Sequence, residues 1–118
     1  MIVVDSSGWI EFFLDGPKAG IYARYFQHPE QIFTPAIVVY EVYKKIKRER
    51  GETLAKLCLA QIEKTQIVPI SQAIALLAAD LSLEFSQPMA GALVFATARM
   101  QNSELITSDS DGTSPSSF

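Results

Sequence analysis

The stretch "SQPMAGALVFATARMQNSELITSDSD", residues 86–111, carries most of the architecture of this chain. Pro88 opens a helix, an almost continuous apolar run follows, and a short strand, "ELIT", ends in two aspartates, Asp109 and Asp111. A helix that is apolar nearly all round is predicted to be buried. A strand directly behind such a helix points to a sheet covered by helices. One residue does not fit this pattern. Gly91 falls in the first helical turn, where glycine costs about 1 kcal/mol relative to alanine, and no turn, cap or kink accounts for it.

Upstream, the same alternation repeats. "MIVVD" reads as a short buried strand ended by an acid, and "SSGWIEFF" as a short helix with Ser6 or Ser7 as its N-cap. "DGPKAGIYARYFQH" opens on a Gly-Pro turn and places Ile21, Tyr22, Tyr25 and Phe26 at helical spacing. "QIFT" is a second strand. Thr34 and Pro35 form a helix start, hydroxyl cap then proline, for "AIVVYEVYKKIKRER", which stops near Gly51. "ETLAKLCLAQIEK" is a further helix and "TQIVPI" a third strand. Ser71 caps "QAIALLAADLSLEF", in which Ile74, Leu77, Ala78 and Leu81 share one face. Strands alternating with helices imply parallel strands, right-handed crossovers and an α/β sandwich.

At 118 residues, 48% hydrophobic and 19% charged, the chain suits one well-buried α/β domain. Its apolar runs are far shorter than the roughly 18–20 residues that span a bilayer. The start "MIVVDSSGW" lacks a basic segment before its apolar residues, so it does not read as a secretory leader, and a cytoplasmic protein without a membrane partner is expected. A single cysteine, Cys58, excludes an internal disulfide or a cysteine-based zinc cage. A net charge of −3 argues against indiscriminate coating of nucleic acid, yet half of the 10 Lys and Arg residues fall in "KKIKRER", residues 44–50.

Chemistry in an open parallel sheet gathers beyond the carboxyl ends of its strands. Asp5 follows the first strand, Asp109 and Asp111 follow the last, and Glu41 lies early in the helix after the second. Convergent carboxylates repel, so they need a cation or raised pKa values. Oxygen donors without nearby His or Cys suit Mg²⁺ or Mn²⁺. Three unrelated surface acids would give the same spacing, and so would the acid-after-strand pattern of a phosphatase. The latter fits less well, because "DSSGW" lacks a second Asp two residues on and no Lys follows the last strand.

Three segments, "IVVDSSGWIEFF", "TPAIVVYEVYKKIKRERGE" and "ADLSLEFSQPMAGALVFATARMQNSELITSDSD", resemble a PIN domain of the VapC type, in family order and over residues 1–111. The resemblance implies a three-layer α/β/α sandwich with a mainly parallel central sheet. It also implies a Mg²⁺-dependent endoribonuclease, the toxin half of a toxin–antitoxin pair. Catalysis and metal binding would fall to Asp5, Glu41 and Asp109, supported by the hydroxyls of Ser6 and Thr107. An antitoxin, RNA and a second copy of the chain would be the partners. The family pattern places an aspartate where this sequence has Gly91, which leaves one of four acids absent and a catalytically inactive binding module as the alternative. After the Thr-x-Asp segment the family continues into an aromatic and an edge strand. Here residues 112–118, "GTSPSSF", form a polar tail, and the edge strand is expected to be missing.

Glu41, Lys44, Lys45 and Arg48 fall at i, i+3, i+4 and i+7, one helical face. They form either a solvated stripe with a Glu41–Lys45 pair or, beside the site, a grip on RNA phosphates. Asp80 and Glu84 read as an exposed acidic stripe, His28 as solvent-facing and Glu11 as an accessory acid at most. The aromatics Trp9, Phe12, Phe13, Tyr22, Tyr25 and Phe26 are divided between core and a groove for a partner.

Overall fold

A computed structural model describes residues 1–107. Its order is β1 (Ile2–Val4), α1 (Ser6–Phe13), α2 (Ala19–Phe26), β2 (Ile32–Pro35), α3 (Ala36–Arg50), α4 (Glu52–Ile62), β3 (Gln66–Val68), α5 (Gln72–Phe85), α6 (Met89–Met100) and β4 (Glu104–Ile106). The four strands are short and β-branched, and all pair in parallel in the order β3-β2-β1-β4. Ile2 lies opposite both Ile32 and Glu104, so β1 is an inner strand. The α/β class and the parallel sheet fit the sandwich expected from sequence. No helix among the described residues is long and apolar enough to cross a membrane.

That order dictates where a site can form. From β1 to β2 to β3 the chain steps in one direction, and from β3 to β4 it returns past β1. Right-handed crossovers therefore put α1–α4 on one face and α5–α6 on the other. The buried residues form two clusters. One gathers Val3, Val4, Trp9, Val38, Val42 and Ile46 with Val94 and Ala98 of α6, and the other Val68, Ile74, Ala78 and Leu81 with Ala92 and Ala96, so α6 contributes to both. The winding reverses between β1 and β4, so a crevice opens at their carboxyl ends.

Local details depart from the sequence reading in two places. The cap of α1 is Asp5, whose Oδ1 accepts the Gly8 N–H at 3.2 Å, rather than Ser6 or Ser7. A carboxylate is at least as good a cap as a hydroxyl and gains from the helix dipole. Thr34 does not cap α3. It remains in β2, fully buried, and its hydroxyl lies 2.6 Å from that of Thr65, which donates to the Ile62 carbonyl at 2.6 Å. Pro35 takes the N-cap position with no side-chain hydrogen bond.

Other expectations hold. Ser71 caps α5, its Oγ accepting the Ile74 N–H at 3.2 Å, and Ile74, Ala78 and Leu81 are buried on that helix. Ala92, Leu93, Val94, Ala96, Thr97 and Ala98 bury α6 as its apolar run predicts. Gly8 permits the close fit of α1. A Cβ there would stand 2.7 Å from Tyr22 Cε1 and 2.8 Å from Val4 Cγ1.

Candidate active site

Asp5 is held from three sides. The Ser7 hydroxyl donates to Oδ1 at 2.6 Å alongside the Gly8 N–H, and the Thr107 hydroxyl donates to Oδ2 at 2.7 Å. The Asp5 N–H in turn donates to the Ile106 carbonyl at 3.1 Å, tying the end of β1 to the end of β4. One carboxylate thus serves as a helix cap and as the clasp between the two strands that flank the crevice. Three donors to one carboxylate fix its orientation.

A cavity of about 280 Å³ opens at this point, and Asp5, Ser6, Glu41, Gly91 and Thr107 all line it. β1 delivers Asp5, the first half of α3 delivers Glu41, the first turn of α6 delivers Gly91, and the end of β4 delivers Thr107. Gln87, Pro88, Ala90, Val94 and Phe95 complete the wall. Glu41 is half-buried, as are Asp5 and Ser6. Residues far apart in sequence therefore meet where the topology places a crevice. Asp109 lies outside the described residues, as do Asp111, the residue 112–118 tail and the expected missing edge strand. Among the described residues no three His, Cys, Asp or Glu side chains gather into a metal-holding group.

The donor set at the cavity consists of oxygen alone: two carboxylates, the hydroxyls of Ser6 and Thr107, and the Gln87 amide. Hard divalent cations prefer such a set, and soft ones do not. The residues present fit Mg²⁺ or Mn²⁺ in chemistry. At Gly91 a Cβ would stand 3.2 Å from Gln87 Oε1, a tight contact that the flexible amide end would have to relieve, and 3.9 Å from Pro88 Cγ.

Sequence marked Ser7 only as a candidate helix cap, and Gln87 not at all. Ser6 lines the cavity, but the hydroxyl that braces Asp5 is that of Ser7. In "DSSG" either serine could fill that role until the start of α1 is fixed. Gln87 carries no sequence signal at all, being a polar residue in a turn.

The basic cluster is partly spoken for. Lys45 pairs with Glu49 at 2.7 Å, rather than with Glu41, and that contact lowers the Glu49 pKa. Arg48 lies 3.7 Å from the same carboxylate, and Lys47 lies 3.5 Å from Glu52. Lys47, Arg48 and Arg50 sit in the last turn of α3, where cations complement the helix dipole. Lys44 differs. Its ammonium donates to the Tyr40 hydroxyl at 3.1 Å and lies 5.3 Å from that ring, contacts that leave its charge uncompensated. It stands one turn from Glu41, exposed.

Glu11 belongs elsewhere. Its Oε1 accepts the Lys18 N–H at 2.9 Å and its carboxylate packs against Gly16, so it closes the α1–α2 turn. His28 is exposed beside Glu30 at 3.7 Å. Asp80 and Glu84 are exposed on α5. Trp9 and Tyr22 are core residues. Trp9 stacks on Phe26 at 4.1 Å, and with Phe12 these rings line a separate cavity of about 500 Å³ bounded by Gln61 and Lys64.

Residues 2–113 match a family model described as PIN domain. Among solved structures, VapC20 of Mycobacterium tuberculosis, described as a sarcin–ricin loop cleaving toxin, superposes with a TM-score of 0.80 at 18% identity, covering 94% of this chain and 92% of that one. A toxin–antitoxin complex from Klebsiella pneumoniae gives 0.77 at 24% identity, covering 98% of each chain. DNA-bound VapBC from Salmonella typhimurium gives 0.76 at 11% identity, covering 90% and 84%. No curated protein sequence matches the chain.

Proposed function

The chain belongs to the PIN-domain family, and on that premise we propose that it is a divalent-metal-dependent endoribonuclease, the toxin half of a toxin–antitoxin pair. The observation that carries this reading is the meeting of Asp5 and Glu41, from different strand ends, in one oxygen-lined cavity at the reversal between β1 and β4. The names of the neighbours, toxins and toxin–antitoxin complexes, support the same reading.

Asp5, Glu41 and Asp109 are the residues proposed to hold Mg²⁺ or Mn²⁺. Bound there, such an ion supplies charge stabilisation at a phosphodiester and lowers the pKa of a water molecule. The protein's own contribution is positioning. Ser7, Gly8 and Thr107 fix the Asp5 carboxylate before any ligand arrives, so little reorganisation is needed on binding. Lys44, exposed and one turn from Glu41, is the residue best placed to meet an RNA phosphate, with Arg48 and Lys45 following along the helix. The aromatic cavity around Trp9, Phe12 and Phe26 is the proposed seat of an antitoxin segment, because large rings beside a polar rim suit an interface anchor.

The direct test is cleavage of a mixed RNA by the purified full chain with Mn²⁺, using Asp5→Asn as the blank. Cleavage lost in that variant supports the reading. RNA binding without cleavage at any metal concentration would instead establish the inactive binding module, which the glycine at 91 favours.

A further inference from the structure

Gly91 leaves a space, and Gln87 occupies it. The Gln87 Oε1 lies 3.2 Å from where a Cβ on residue 91 would stand, and Gln87 lines the same cavity as Asp5 and Glu41. It is half-buried, whereas Ser86 and Pro88 on either side are exposed. The backbone beneath it is pinned. Ser86, at φ 55°, turns the chain out of α5 in the left-handed conformation. The Gln87 carbonyl accepts the Ser82 hydroxyl at 2.6 Å, and the Pro88 carbonyl accepts the Ala92 N–H at 2.9 Å. With its main chain fixed on both sides, Gln87 brings its amide oxygen up to the first turn of α6, at the wall of the cavity.

We propose that Gln87 is a site residue that offers its neutral amide oxygen to the divalent cation held by Asp5 and Glu41. It fills the position from which an acid at residue 91 would act. The assignment rests on the metal-dependent reading above. Side-chain amide oxygens serve hard cations alongside carboxylates, and affinity follows the number of charged ligands. A site completed by an amide is therefore weaker than one completed by a carboxylate, without being incomplete. Substitution at 91 and the position of Gln87 are also coupled, because an aspartate Cβ and the amide compete for one volume.

The test is calorimetric titration of the full chain with Mn²⁺, without RNA. Gln87→Ala should weaken binding about tenfold, the low end for loss of a supporting contact at a metal site. Gln87→Glu should bind more tightly than the unaltered protein, and because it removes no volume it serves as the variant that folds if Gln87→Ala does not. In a Gly91→Asp background the cost of Gln87→Ala should shrink to about twofold or less, the signature of two groups sharing one role. Binding abolished by Asp5→Asn but unchanged in both Gln87 variants would overturn the Gln87 assignment and leave the metal reading intact. Saturable Mn²⁺ binding absent from the unaltered protein would overturn both.

Discussion

Replacing Gly91 with aspartate should improve the site without harming the fold, and the structure sets the magnitudes. Residue 91 is the third residue of α6, and no side chain caps that helix at Pro88. Asp is a better helix former than Gly by about 0.3 kcal/mol. A negative charge in the first turn adds about 0.3–1 kcal/mol through the dipole. The new Cβ displaces only the end of the Gln87 side chain, a flexible group. Opposing these gains is repulsion from Asp5 and Glu41 across the cavity. Without metal the terms nearly cancel, and the melting temperature should move by no more than about 3 °C. With Mn²⁺ the repulsion becomes attraction to a shared cation. Affinity should then rise on the order of 10–100-fold, and the metal-dependent gain in melting temperature should exceed that of the unaltered protein. Activity should follow, since misplacing a reacting group by about 1 Å costs on the order of 100-fold in rate. Thermal melts with and without Mn²⁺, calorimetry, and RNA cleavage against an Asp5→Asn blank check each stage separately. Cleavage by the Gly91 protein at a rate that aspartate does not improve would refute the reasoning, because the existing donors would then suffice.

Four further outcomes follow from particular contacts. Asp5→Ala removes the α1 cap and the clasp to Thr107, so urea denaturation should show a loss of about 1–2 kcal/mol, while Asp5→Asn, an equally good cap, should lose less than about 0.5 kcal/mol. Lys44→Ala should weaken RNA binding and flatten its salt dependence by about 0.7 in the log–log slope, one phosphate contact on a single strand, whereas Lys45→Ala, its charge already engaged by Glu49, should change it less. Thr65→Val strands the Thr34 hydroxyl proton, although the Ile62 carbonyl keeps the Thr65 N–H at 2.9 Å, and should cost about 1–2 kcal/mol in denaturant unfolding, but Thr34→Val leaves the Thr65 donor satisfied and should cost less than about 1 kcal/mol. Cys58 is 3% exposed and burial raises its thiol pKa, so iodoacetamide should react with it only slowly near neutral pH and at a free-thiol rate after unfolding.

The elements were legible because each carries its own signal. β-branched strands ended by acids, a buried helix behind Pro88 and the Ser71 cap all depend on residues a few positions apart. The errors arose where two local solutions competed. Asp5, Ser6 and Ser7 are all competent caps, and the choice falls to Asp5 because that same carboxylate also receives the Thr107 hydroxyl from β4. Thr34 next to Pro35 looks like a helix start, but a partner at Thr65, 31 residues away, keeps it in the sheet. Lys45 stands four residues from both Glu41 and Glu49. It pairs with Glu49, which is exposed near the helix end, while Glu41 lines the cavity.

This last choice connects stability with chemistry. A Glu41–Lys45 pair would place an ammonium against a carboxylate proposed to hold metal, and a cation entering the site would have to displace it. With Lys45 turned to Glu49, the Glu41 carboxylate has no competing ammonium within ion-pairing distance among the described residues. Asp5 presents the complementary case. Among the described residues its partners are all donors of hydrogen bonds rather than of full charge, so they orient the carboxylate while leaving its negative charge uncompensated. Gln87 extends the same logic, since an amide adds an oxygen without adding an anion to repel the other two. A cavity that fixes Asp5 by neutral donors and keeps ammonium groups from Glu41 has its electrostatic demand met by whatever cation binds there. Glu49→Ala, which frees Lys45, should therefore weaken Mn²⁺ binding although residue 49 does not line the cavity.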